Sequence, residues 1–235
     1  MKNSKKLRVI IFLGPPGSGK GTQSELLAEK TGLYHIETSE IIEKNFAVAK
    51  PGDFVKVEGK KYFLEDERKL RESGGLMSPP LIAFWTKNKI KEIHRREWGI
   101  IFSGSPRTLF EGKEVLPLLK RLYGLGNIQL VLLSITEADS IWRNSHRRTC
   151  KLLRHPIVWM PETAGLKKCS LDGSELVRRK DDNPAIIKTR LKEYRERTLP
   201  LIKYFKREGV DVKKINGSLS PAEVFSAILK AVKLE

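Results

Sequence analysis

The chain has 235 residues, 40% of them hydrophobic and 31% charged, with a formal net charge of +17. That length can bury a sizeable core without disulfides or metal, and its two cysteines exclude a disulfide framework, which points to a reducing cytoplasm. No stretch approaches the roughly 20 apolar residues of a membrane span. The cationic excess favours anionic partners; with no zinc-finger array, basic–aromatic repeat or long basic tail, nucleic acid is a possible partner but not the primary one.

The first predicted element is a buried strand over Leu7–Leu13. Residues 14–22 then read Gly-Pro-Pro-Gly-Ser-Gly-Lys-Gly-Thr. A predicted helix over Gly19–Lys30 follows, with Gly32 as its stop. A strand, a glycine-rich turn ending in lysine, and a helix together make a phosphate cradle. Glycines let successive N–H groups point at one anion, and the helix adds its positive end. Lys20 adds a point charge for the outer phosphates.

Further along, strands are expected at Leu33–Ile36, Ile100–Phe102, Leu130–Ile135 and Val210–Ile215. Helices are expected at Pro79–Arg96, Glu111–Leu122, Ile186–Arg207 and Pro221–Val232. The strand candidates are continuously apolar rather than alternating. That pattern fits strands buried on both faces, hence an α/β fold with a parallel sheet and helices on each side. Two stretches interrupt the alternation. Thr38–Pro79 is polar and glycine-containing. Thr149–Val177 carries both cysteines and the loop signals His155-Pro156, Met160-Pro161 and Asp172-Gly173.

The arginines narrow the chemistry. Arg107 follows a strand in Ser103-Gly104-Ser105-Pro106-Arg107-Thr108. Arg143, Arg147 and Arg148 crowd the start of the second insert, Arg178 and Arg179 mark its end, and Arg190 lies on the next helix. Phosphoryl transfer needs negative charge neutralised on donor, acceptor and moving group, and guanidinium groups grip phosphate oxygens bidentately.

With those residues in view, the chain resembles the adenylate kinase family. The phosphate loop with Gly21-Thr22 after the lysine has that family's form. Segment 103–108 is similar to its Asp-Gly-Phe-Pro-Arg-Thr segment. Arg179-Lys180-Asp181-Asp182, followed by Arg190-Leu191-Lys192-Glu193-Tyr194, is similar to its Arg-x-Asp-Asp…Arg-Leu-x-x-Tyr segment. Lys214–Ser218 resembles the loop that borders the ATP base.

The resemblance implies a five-stranded parallel core of P-loop kinase type, formed by residues 1–37, 80–143 and 179–235. It implies a nucleoside-monophosphate-binding insert over 38–79 and a lid over 144–178. The implied enzyme is a monomer that transfers the γ-phosphoryl of Mg2+-bound ATP to AMP or a related monophosphate. By matching position, Gly17, Ser18, Gly19, Lys20, Gly21 and Thr22 hold ATP phosphates, while Arg143 and Gly217 border the ATP base. Thr38, Arg107, Glu111, Arg179 and Arg190 serve the monophosphate. Lys20, Arg107, Arg147, Arg179 and Arg190 form the catalytic set.

Three departures from the family pattern bear on substrate. Ser103 stands where the family has the acid that orders magnesium-bound water. Glu43 replaces a monophosphate-binding arginine, with Lys44 or Lys50 as candidate substitutes. Glu111 replaces an adenine-reading glutamine; an ionised glutamate only accepts, which suits a base edge with two donors such as guanine, unless Glu111 faces solvent. In the lid, Cys150, His155, Cys169 and Asp172 form a candidate structural Zn2+ set. The competing reading is two unligated cysteines packed by Leu152, Val158 and Trp159. A nucleotide-binding regulatory or RNA-associated protein that has lost efficient transfer is the alternative function.

Overall fold

The computed structural model describes residues 8–152, 156–157, 161–178 and 182–234. The chain begins with β1 (Val9–Leu13), α1 (Lys20–Thr31), β2 (Tyr34–Glu37) and α2 (Thr38–Ala47). A hairpin of β3 (Phe54–Val57) and β4 (Lys60–Phe63) leads into α3 (Leu64–Glu72) and α4 (Pro79–Arg95). Next come β5 (Ile100–Ser103), α5 (Leu109–Tyr123), β6 (Ile128–Ser134) and α6 (Glu137–His146). A small antiparallel sheet holds β7 (Arg148–Cys150), β8 (Pro156–Ile157) and β9 (Leu176–Val177), with α7 (Pro161–Ala164) between the last two. The chain ends with α8 (Pro184–Glu193), α9 (Leu199–Arg207), β10 (Asp211–Asn216) and α10 (Pro221–Val232).

Five strands form one parallel sheet in the order β10-β6-β1-β5-β2. Every residue of β1 is buried because β1 lies at the centre with helices on both faces. Val9 and Ile11 join Ile90, Val115, Leu119 and Phe205 in one core layer, beneath α4, α5 and α9. Ile10 and Phe12 join Leu27, Val224 and Ile228 in the other, beneath α1 and α10. Each such fully buried side chain contributes about 1.5–3 kcal/mol by leaving water.

A third cluster, including Ile42, Phe46, Val57, Tyr62, Met77, Leu81 and Trp85, ties α2 and the hairpin to the start of α4. The hairpin has no counterpart in the sequence expectations. Its short strands pair across Glu58-Gly59, both at positive φ, and the period-2 signal over four residues is too brief to stand out. The helix expected over 186–207 is interrupted by a π turn at Tyr194–Thr198. Pro200 lacks the N–H that an unbroken α-helix would use, and the wider turn absorbs the missing bond. Among the described residues, no helix is long and apolar enough to cross a membrane.

Candidate active site

The centre of the parallel sheet's C-terminal edge carries the glycine-rich turn, the position from which α/β sheets bind ligands. Gly17 and Gly19 take φ of +75° and +91°, which side chains rarely adopt. A Cβ at Gly17 would also lie 2.6 Å from Asn144 Nδ2. α6 braces this turn from behind. Ser140 Oγ donates to Pro16 O at 2.6 Å, and Asn144 Nδ2 donates to Ser140 O at 2.7 Å, with both residues fully buried.

Lys20 Nζ donates to Gly14 O and Pro15 O, each at 2.8 Å, folding its ammonium over the mouth of the turn. Burial holds its pKa well below the usual lysine value, and the charges of Arg107, Arg190 and Arg147 push the same way. The charges of three arginines from separate segments thus act on Lys20, and two of those arginines, Arg147 and Arg190, share Asp182. The excess positive charge disfavours the apo state and is relieved by a polyanion.

Each arginine is fixed by a different device. Arg107 donates through Nε to Gly104 O at 2.5 Å, and its own carbonyl accepts from Thr198 Oγ1 at 2.7 Å. The π turn thus presents a hydroxyl to the backbone of Arg107. Arg147 makes a two-pronged contact with Asp182, Nε to Oδ2 at 3.0 Å and Nη2 to Oδ1 at 2.5 Å. Arg190 Nη1 lies 3.7 Å from the same Oδ1, and the Asp182 side chain is 1% exposed. Asp182 is the residue that sequence reasoning missed: it belongs to a quoted motif, but its partners lie 35 positions upstream and on the next helix.

Arg143 donates to Gly217 O at 2.7 Å and Ser218 O at 3.2 Å, joining α6 to the loop after β10. A Cβ at Gly217 would stand 3.2 Å from Ser18 O, so this loop abuts the phosphate turn. Thr38, at the start of α2, is buried with no hydrogen-bond partner for Oγ1. It lies near Gly104, facing the segment that carries Arg107.

The structure gives Glu111 and Glu43 surroundings unlike those expected from sequence. Glu111 Oε2 accepts from Ser105 Oγ at 3.1 Å and the Arg107 N–H at 2.9 Å, while Oε1 accepts from Thr108 Oγ1 at 3.0 Å. Its carboxyl is buried, and desolvation raises its pKa against those donors. Both oxygens brace the Arg107 segment rather than present a free edge to a base. Glu43 meets Arg71 of α3 at 3.1 Å, while Lys44 and Lys50 are exposed.

In the second insert, donor atoms of Cys150, Cys169 and Asp172 all lie within 4.8 Å of one another. Cys150 Sγ donates to Asp172 Oδ2 at 2.9 Å, and Ser174 N and Oγ donate to Oδ1. These bonds hold the Asp172 carboxyl below the usual carboxylate range, the thiol contact contributing most. Two thiols and a carboxylate already gathered suit Zn2+. Arg179 and His155, assigned from sequence to the catalytic and metal sets, lie outside the described residues. For Mg2+, which takes oxygen donors, the Thr22 hydroxyl in the first turn of α1 and the Glu37 carboxylate at the end of β2 are groups of the required kind.

A family model described as "Adenylate kinase" matches residues 12–210. The adenylate kinase of Methanothrix thermoacetophila is 33% identical over 229 residues, covering 95% of this chain and 97% of that relative. The adenylate kinase of Clostridium botulinum strain Langeland is 32% identical over 222 residues, covering 93% and 95%. That of Desulforamulus reducens is 30% identical over 227 residues, covering 95% and 99%.

Proposed function

The chain belongs to the adenylate kinase family, and on that premise we propose that it transfers the γ-phosphoryl group of ATP to AMP or a related nucleoside monophosphate, giving two nucleoside diphosphates. It is a phosphotransferase. The observation that carries the reading is Lys20 folded over the glycine-rich turn, with Arg147 and Arg190 held together on Asp182 and their charges, with that of Arg107, acting on the lysine. Such a transfer calls for little covalent chemistry from the protein, which contributes positioning and charge.

In this reading the amides of 17–22 and Lys20 take the ATP phosphates, and Arg143 with the Gly217 loop borders the base. Arg107, Arg190 and Thr38 take the acceptor; the buried, unpartnered Thr38 hydroxyl supports a polar ligand there. Arg147 and Arg179 close over the moving group, and closure excludes water so that hydrolysis does not compete. Mg2+ carried with ATP supplies positive charge to the outer phosphates. Because the Glu111 oxygens already accept from segment 105–108, a preference for a two-donor base loses its support, and AMP is the simplest acceptor. A coupled assay across AMP, GMP, CMP, UMP and dTMP is expected to give the fastest turnover with AMP. No turnover with any of the five, in protein that still binds ATP, would leave a nucleotide-binding protein without transfer.

We also propose a structural Zn2+ in the lid on Cys150, Cys169 and Asp172, with His155 as fourth ligand, supported by the three gathered donors. Protein purified from zinc-containing medium is expected to carry about one zinc per chain. Cys169→Ser is expected to lose the metal and lower the melting temperature. Metal-free wild-type protein from that medium would reduce the cluster to a hydrogen-bonded one. Both cysteines are thiols rather than a disulfide, which supports a reducing cytoplasmic location.

A further inference from the structure

Strand β5 ends on Ser103, so it brings no carboxylate to the sheet edge beside the phosphate turn. P-loop enzymes hold the Mg2+ of their nucleotide with the hydroxyl residue after the lysine and an acid at a neighbouring strand end. Here Gly21 follows Lys20 directly, and the first hydroxyl after it is that of Thr22, still in the first turn of α1. The acid is found one strand over. Glu37 is the Cα partner of Ser103 across the β2–β5 ladder, and Ser103 is the partner of Phe12 across β5–β1.

Directly paired residues share a face of the sheet. Phe12 packs in the core layer with Leu27 of α1, so Glu37 and Ser103 stand on the α1 face, at the strand ends where α1 begins. His35, two residues earlier on that face, places Nε2 2.7 Å from Ser103 Oγ. Glu37 is half-buried, and Ser39 Oγ donates to its Oε1 at 2.5 Å. It takes part in no ion pair among the described residues. The buried, unpartnered hydroxyl of Thr38 follows it directly.

We propose that Glu37 is the metal-positioning acid of this site, its carboxylate accepting from water on the Mg2+ of bound ATP where Ser103 cannot. The inference rests on ATP occupying the phosphate turn. Moving the acid from β5 to β2 displaces it by about 4.8 Å. The extra methylene of glutamate covers part of that distance. Mg2+ retains several waters and is often held through them, so a layer of solvent covers the rest.

The test uses Mn2+ as a paramagnetic probe, titrated into the protein–ATP complex and followed by electron paramagnetic resonance, beside metal-free ATP binding by calorimetry. Glu37→Gln is expected to weaken Mn2+ binding to the complex by about 10-fold or more. Metal-free ATP should bind as tightly as to wild type or more tightly, because a like charge has left the triphosphate. Adding Ser103→Asp to Glu37→Gln is expected to recover most of the Mn2+ affinity, returning the acid to β5. Glu40→Gln, in the exposed first turn of α2, serves as control and should stay within twofold of wild type. Wild-type Mn2+ affinity in Glu37→Gln, or a loss confined to Glu40→Gln, overturns the proposal. So does an equal loss of metal-free ATP binding in Glu37→Gln. Failure of wild-type protein to bind ATP would instead strike the kinase reading itself.

Discussion

Replacing Lys20 with methionine is expected to lower kcat for phosphoryl transfer by about 10²–10³-fold, the usual effect of removing one preorganised charge from a developing anion. The fold should survive, because the ammonium is a burden on the ligand-free protein. Burial and three guanidinium groups disfavour its charged form, whereas methionine fills a similar volume without charge. The ligand-free variant is therefore expected to melt slightly above wild type at pH 7.

The sign follows from linkage. A lysine with a depressed folded-state pKa destabilises the fold fully below that value, and the effect fades as pH climbs towards the ordinary 10.5. The advantage of Lys20→Met should shrink in alkaline buffer. Thermal melts at pH 7 and near pH 10, with a coupled assay at pH 7, measure both arms. Wild-type turnover in the variant would remove Lys20 from the transfer step. A lower melting temperature would mean that its bonds to Gly14 O and Pro15 O outweigh the charge repulsion.

The second large effect is expected at a residue that need not touch either nucleotide. Asp182→Asn should lower kcat/KM by about 10²-fold, because a misplacement of about 1 Å in a positioned group costs that much. Asp182 is the common anchor of Arg147 and Arg190. Without its charge the two guanidiniums repel each other and Lys20, and the cluster spreads. Removing one partner of a buried ion pair also lowers stability, here by about 3 kcal/mol. Circular dichroism at the assay temperature separates the two effects: the activity loss should persist in fully folded protein. Activity within threefold of wild type would show that Arg147 and Arg190 hold their places without Asp182.

Much of this molecule was legible along the chain. The phosphate turn is local: its conformation follows from glycines at fixed offsets, and its position follows from a buried strand before it and a helix after it. The central strands were readable for a similar reason, since burial on both faces forces continuous apolar runs such as Val9–Leu13 and Ile100–Phe102. The β3–β4 hairpin was not readable, because four-residue strands carry too short a pattern. Neither was the break at 194–198, where helical periodicity continues through a wider turn.

The site divides along the same line. Arginines at strand ends and insert boundaries signalled a polyanion, but no spacing rule revealed that Asp182 holds two of them. Glu111 illustrates the opposite case. By chemistry alone its carboxylate suits a base edge, while the fold turns both oxygens onto Ser105, Arg107 and Thr108.

What the sequence by itself determined was the presence of a phosphate cradle in a parallel α/β core, because backbone conformation and hydrophobic period are written in residues a few positions apart. Which charges face one another was decided only by the tertiary structure. Arg147 with Asp182, Arg71 with Glu43, and Glu37 beside Ser103 are pairs that chain folding and strand register create between distant positions, and electrostatic energy depends on distance in space, not along the chain.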